Sequence, residues 1–68
     1  MHVRGLIEGR HYRLTTFRRE RDGYYYVIDG PAGVEGWMKG SSREVLSILR
    51  RRVREMDERA EETAREGA

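Results

Sequence analysis

The chain has 68 residues, with no cysteine, one proline, one lysine and no long hydrophobic run. Without cysteine, neither a disulfide nor a thiolate metal site can stabilise the fold. Because the apolar stretches are only a few residues long, we expect no membrane-spanning segment. Residues 1–5 lack the apolar core of a signal peptide, which favours a cytoplasmic protein.

The short length limits what the chain can do alone. Residues 1–68 predict one small domain, which buries only about 60% of its unfolded surface, so oligomerisation is a natural source of added stability. His2 and His11 are too few to build a metal site, and no nucleophile, base and orienting residue form a set. We therefore predict no metal, no cofactor and no enzymatic activity. The alternative is a small RNA-processing enzyme with His11 as its base.

The order of local patterns predicts an α+β fold, β-β-β-α, with a three-stranded antiparallel sheet. Residues 11–19 and 24–29 are rich in the aromatic and β-branched residues that suit strands. Between them, Asp22-Gly23 is a strong hairpin signal. Residues 34–39 return as a third strand after a Gly/Pro loop, and residues 3–7 are a candidate for a short extra N-terminal strand.

A long C-terminal helix is predicted from residue 41 onward, because residues 41–66 contain no Gly or Pro. Ser41 and Glu44 have the spacing of a capping box, with Ser42 as the alternative cap. A helix of this length spans about 36 Å, whereas each strand spans about 20–23 Å. The overhang either frays or packs on a second copy, giving a homodimer through the helix. The apolar stripe that would face the sheet or that copy is Val45, Leu46, Leu49, Val53, Met56 and Ala60.

Charge is divided unevenly along the chain. Residues 1–54 hold 12 basic and 6 acidic side chains, net +6, and residues 55–68 hold 2 and 6, net −4. The domain should therefore consist of a basic body and an acidic helical tail, 55–68, that extends beyond the core. A basic surface of this kind favours a nucleic acid or an acidic protein as partner.

Two clusters of arginine are candidate binding residues, since the guanidinium fork binds phosphate or carboxylate bidentately. The first cluster lies on the outer face of the predicted helix and consists of Arg50, Arg51 and Arg54. These side chains either bind a partner or form ion pairs with Glu55 and Glu58. The second cluster lies in the first hairpin. In a regular strand, the side chains at positions 13 and 19 point to one face of the sheet and the side chain at position 18 points to the other, unless a bulge intervenes. This cluster is Arg13, Arg18 and Arg19.

Aromatic residues supply the other candidate contacts. Strand alternation divides Tyr24, Tyr25 and Tyr26 between the two faces of the sheet. One assignment buries Tyr24 and Tyr26 with Ile28 and exposes Tyr25 with Trp37; the opposite assignment buries Val27. An exposed Tyr25–Trp37 pair suits base stacking or anchoring of a protein interface.

Residues 22–27, with the sequence Asp-Gly-Tyr-Tyr-Tyr-Val, are followed by a Gly/Pro loop and by residues 40–46, Gly-Ser-Ser-Arg-Glu-Val-Leu. Over about 25 residues this order resembles the HicB-like antitoxin domain, which implies a β-β-β-α fold and a regulatory role. The order of elements is also similar to the sheet-reading DNA-binding domains of some integrases and plant transcription factors.

Two function hypotheses follow. The first is a nucleic-acid-binding or antitoxin-like regulator that uses the basic surface and the two exposed aromatic residues. The second is a protein-binding inhibitor or adaptor, for example a phage-encoded protein that blocks a host nucleoprotein complex, with the acidic tail or the arginine face as its contact.

Overall fold

The computed structural model describes residues 7–66. Three antiparallel strands, β1 (Arg13–Glu20), β2 (Gly23–Asp29) and β3 (Val34–Lys39), form a sheet in the order β1-β2-β3. One helix, α1 (Ser42–Glu66), follows them, so the predicted β-β-β-α order is confirmed. The extra strand predicted at residues 3–7 lies almost entirely outside the described residues.

The helix packs across one face of the sheet. The tyrosine assignment with Tyr26 and Ile28 inside is the one observed: Ile28 is fully buried and Tyr26 is 6% exposed. Ring stacking of Phe17 on Tyr24, with centroids 4.4 Å apart, extends this side of the sheet. No helix within residues 7–66 lies on the opposite side, which we call the open face. The buried residues of the core are Ile7, Tyr12, Leu14, Phe17, Tyr26, Ile28, Val45, Leu49 and Val53.

A bulge in β1 decides which arginines reach the open face. Leu14 pairs with Ile28 but Thr16 pairs with Val27, so Thr15 is an extra residue in the strand. Leu14 and Phe17 therefore both point into the core although they are three positions apart. The bulge places positions 13 and 18 on the open face and position 19 on the helix side, whereas simple alternation would group 13 with 19.

The first hairpin turns one residue earlier than the Asp22-Gly23 signal predicts. Gly23 already lies in β2, paired with Glu20, so Arg21 and Asp22 form the loop. Arg21 supplies the positive φ, 58°. Gly23 is required for a different reason: a Cβ there would lie 2.2 Å from the Met38 carbonyl oxygen and 2.7 Å from the Trp37 ring.

The helix begins with the predicted capping box, in the Ser41 register. The Glu44 backbone N–H donates to Ser41 Oγ at 3.2 Å, and the Ser41 N–H donates to Glu44 Oε1 at 3.2 Å. These bonds satisfy two of the free donors at a helix start. The hydrogen bonds from Ser41 lower the pKa of Glu44.

The acidic end of the helix is held by the segment before β1. Asp57 accepts backbone hydrogen bonds from Arg10 at 3.0 Å, His11 at 2.6 Å and Tyr12 at 3.0 Å. These hydrogen bonds lower the pKa of Asp57, and the bond from the His11 backbone N–H has the largest effect. One turn later, Glu61 accepts a hydrogen bond from Arg10 at 2.9 Å, and this bond lowers the pKa of Glu61.

Because of these contacts, the part of α1 that extends beyond the rest of the domain is shorter than the helix and strand lengths predict. The predicted dimer stripe is covered by the chain's own core: Leu49 and Val53 are buried, and Leu46, Met56 and Ala60 pack against the core. The segment 7–12 extends the covered length beyond the sheet, and the exposed end of the helix is reduced to residues 62–66. Dimerisation through the helix stays a prediction.

Candidate functional site

The open face brings three of the candidate residues together in one row across the sheet. Arg18 on β1 pairs with Tyr25 on β2, and Tyr25 pairs with Trp37 on β3. Directly paired residues in antiparallel strands share a face, so the three side chains are neighbours on the open face. We call this set the aromatic row: Arg18, Tyr25 and Trp37.

Tyr25 forms the centre of the aromatic row. The Arg18 guanidinium carbon lies 4.7 Å from the centroid of its ring, within cation–π range. The Tyr25 hydroxyl donates to Glu35 Oε2 at 2.5 Å, and this hydrogen bond raises the pKa of Tyr25. The ring is thus fixed from both ends, by a cation over its face and by a carboxylate at its hydroxyl.

Trp37 is held in a single position on the open face. The Trp37 Nε1–H donates to the Glu20 carbonyl oxygen at 2.9 Å, which fixes the indole across the hairpin. Gly23 lies beneath the ring and leaves no room for a Cβ. Even so, 44% of Trp37 is exposed to solvent. The row therefore presents a rigid aromatic surface whose ordering needs little side-chain entropy on binding.

The other hairpin arginines separate. Arg13 lies on the open face at the far end of β1, where it pairs with Asp29. Arg19 pairs with Tyr24, on the face that packs against the helix, and lines a shallow depression with Ser41. The open face thus contains two of the three predicted hairpin arginines.

The helix arginines form a separate surface on the other side of the molecule. Arg50, Arg51 and Arg54 are all exposed. Within residues 7–66, none of the three forms an ion pair within 4.0 Å, so the i,i+4 pairing of Arg51 with Glu55 is not formed at that distance. Because α1 lies between them and the sheet, these arginines and the aromatic row cannot contact one flat ligand together.

Two residues that shape the open face were missed by the sequence-based reasoning. Glu35 binds Tyr25, and its position two residues before Trp37 in an alternating strand would have placed it on the same face. The Asp22-Gly23 pattern predicts that Gly23 is a turn residue, and nothing local in the sequence shows that Trp37 packs on it.

His11 lies away from the aromatic row. Its Nε2 atom is buried without a hydrogen bond, and Glu61 Oε1 is 3.5 Å away. No group of three or more His, Cys, Asp or Glu side chains within 7–66 is arranged to hold a metal ion. In the same range, no helix has the length and apolar character needed to cross a membrane. No family model, curated protein or solved structure matches the chain.

Proposed function

We propose that the chain is a small nucleic-acid-binding module whose contact surface is the open face of its sheet. The observation that carries the proposal is the aromatic row, in which an arginine, a tyrosine and a tryptophan are adjacent, fixed in position and turned to solvent.

The chemistry of the row suits bases and phosphates together. Every base has a π-face that stacks on an aromatic side chain, and such stacking contributes about 1–3 kcal/mol per base. Trp37 provides the exposed ring for stacking. Arg18 offers a guanidinium that can bind a phosphate bidentately while it lies over the Tyr25 ring.

The charge of the open face sets the expected strength of binding. Arg13, Arg18 and Lys39 are its cations, while Glu20, Asp29 and Glu35 are acidic, so the face has no net charge. With so few cations, contact with only two or three phosphates is expected. Since the slope of log K against log salt is about −0.7 per neutralised phosphate for a single strand, the salt dependence should be shallow.

The test is fluorescence anisotropy with labelled single-stranded and duplex oligonucleotides at low salt, using variants matched in charge. Arg18→Ala removes one cation from the open face, and Arg51→Ala removes one from the helix surface. We expect Arg18→Ala to weaken binding several-fold and to reduce the salt slope by about 0.7 for a single strand. Arg51→Ala should change affinity little.

The aromatic contribution is tested separately with Trp37→Ala, which should weaken binding without changing the salt slope. No binding to single-stranded or duplex DNA or RNA at low salt would refute the proposal. So would a loss with Arg51→Ala that exceeds the loss with Arg18→Ala, because the helix surface would then be the contact.

Protein binding through the acidic helix end is the second candidate function. Glu58 and Glu62 are exposed and lie beside a groove of about 810 Å³ that also includes Arg65. Truncation after Arg54 would not test this candidate, because it also removes Asp57 and with it the anchor of residues 10–12. The double substitution Glu58→Gln/Glu62→Gln tests it while leaving that anchor in place. Loss of a partner captured by the wild-type chain would favour the second function.

A further inference from the structure

The β3 strand has an open edge. In the part of the chain that the structure describes, β3 pairs only with β2, whereas the segment before β1 pairs with the opposite edge of the sheet: Glu8 bridges Arg13, and Leu14 donates to the Ile7 carbonyl at 3.1 Å. An open strand edge presents unpaired N–H and C=O groups to another strand. Residues 34–39 are therefore a place where a further strand can add.

The direction of the free backbone groups follows from the hairpin. The Gly40 N–H donates to the Asp22 carbonyl at 3.1 Å, so the pair Gly40–Asp22 is hydrogen-bonded. Hydrogen-bonded and non-hydrogen-bonded pairs alternate in an antiparallel ladder. Even-numbered residues of β3 therefore bond to β2, and the N–H and C=O groups of Glu35, Trp37 and Lys39 point to the free edge.

A second copy of β3 fits this edge in one register. If two β3 strands pair antiparallel about a two-fold axis at Trp37, all three outward-pointing residues join hydrogen-bonded pairs. The same register places Glu35 opposite the partner subunit's Lys39, and Lys39 opposite the partner subunit's Glu35. Opposite charges in directly facing positions stabilise a strand pair, so backbone and charge favour the same arrangement.

Exposed hydrophobic residues gather at the same edge. The large hydrophobic side chains that are exposed within residues 7–66 are Val34, Trp37 and Ile48, at 39%, 44% and 45%. Two of them are on β3. Ile48 precedes Arg52 by one turn, and Arg52 reaches Tyr26 Oη on the flank of the helix nearest Gly36 of β3. Val34, paired with the buried Ile28, and Ile48 lie on the helix side of this edge, and Trp37 lies on its open face. A contact along the β3 edge would therefore have exposed hydrophobic residues on both sides of the sheet.

We propose that two copies of the chain associate through antiparallel pairing of their β3 strands, with Trp37 on the two-fold axis. The dimer has one continuous six-stranded sheet, two helices on one side and two aromatic rows on the other. An isologous contact of this kind uses the same patch on both subunits. The proposal rests on the edge of the sheet and does not depend on nucleic-acid binding.

A charge-swap series tests the register, with mass measured by sedimentation equilibrium over a wide range of concentration. Glu35→Lys places two lysines opposite each other at each end of the strand pair, and Lys39→Glu places two glutamates there. Each single variant should raise the dimer dissociation constant about tenfold. The double variant Glu35→Lys/Lys39→Glu should restore the wild-type value.

Glu58→Lys is the matched control, because it reverses one exposed charge on the helix, away from β3, and should leave the dissociation constant unchanged. Circular dichroism of each variant confirms that the fold is kept. A wild-type chain that stays monomeric at all concentrations would overturn the proposal. A dimer that the single reversals do not weaken, or that the double variant does not restore, would also overturn it.

Amide hydrogen exchange gives an independent result on the wild-type chain. The Trp37 N–H should be protected only at concentrations where the dimer forms, because its partner is the second subunit. The Met38 N–H points to β2 and should be protected at every concentration. Equal protection of both amides regardless of concentration would exclude the pairing.

Discussion

Replacing Gly23 with alanine tests whether the Trp37 ring packs on Gly23. The expected change in the free energy of unfolding can be derived from the structure. The new Cβ would lie 2.2 Å from the Met38 carbonyl oxygen, 2.7 Å from Trp37 Cζ2 and 2.8 Å from Lys39 Cα. Two of these atoms belong to backbone and cannot move without shifting β3. Overpacking of this kind costs about 1–3 kcal/mol, and the tight contacts place Gly23→Ala at the upper end.

Part of this cost is offset, because alanine restricts the unfolded chain and gains about 0.4–1 kcal/mol. We therefore expect a net loss of about 2 kcal/mol in the free energy of unfolding. Urea denaturation followed by circular dichroism measures this loss, and the fluorescence of Trp37, the only tryptophan in the chain, reports whether the indole moves.

Gly33→Ala is the matched control. Its Cβ would approach one atom closely, the Ile28 carbonyl oxygen at 3.0 Å, with the next neighbours at 3.7 Å. The control should lose clearly less stability than Gly23→Ala and leave the fluorescence unchanged. If Gly23→Ala is as stable as wild type with an unchanged emission spectrum, Trp37 does not pack on Gly23 and the described open face is wrong.

Three further predictions concern the core, the hairpin and the helix anchor. Leu49→Ala should lower the free energy of unfolding by about 2–5 kcal/mol, because Leu49 is fully buried; the exposed Ile48→Ala should lower it far less, and equal losses in urea denaturation would contradict the assigned helix face. Arg21→Asn should raise the free energy of unfolding by about 0.5–1 kcal/mol, since Asn tolerates the positive φ of 58° better than Arg; a lower urea midpoint would contradict this. Asp57 has a lowered pKa in the folded state, so its contribution is complete above its unfolded pKa and is lost as the pH falls through the lower, folded pKa. The melting temperature of the wild-type protein should therefore decrease when the pH is lowered below about 4, and the melting temperature of Asp57→Asn should depend less on pH. Identical pH profiles would show that the Asp57 anchor adds no stability.

The sequence predicts the parts of this fold that depend on local patterns. Strand alternation groups Tyr26 with Ile28 on one face and leaves open whether that face or the one with Val27 is buried. The spacing of Ser41 and Glu44 predicts the start of the helix to within one residue, with Ser42 as the alternative cap. Both depend on residues within a few positions of each other, where the 2.0 and 3.6 periods apply.

The features that the sequence leaves open or does not predict depend on contacts between distant positions. The bulge at Thr15 changes which face Arg18 and Arg19 occupy, and no residue type demands it there. Asp57 accepts hydrogen bonds from Arg10, His11 and Tyr12, which precede it by 45 to 47 positions in the chain. No sequence periodicity reveals a contact over that separation. The charge pattern alone predicts that Asp57 belongs to a free acidic tail, whereas it anchors the segment before β1.

The most direct test of the central claim is titration of Trp37 fluorescence with an unlabelled single-stranded oligonucleotide at low salt. Stacking of a base on the indole predicts saturable quenching that added salt reverses, that Arg18→Ala weakens and that Arg51→Ala leaves intact. Unchanged Trp37 emission during binding that anisotropy detects independently would place the nucleic acid elsewhere and contradict the account.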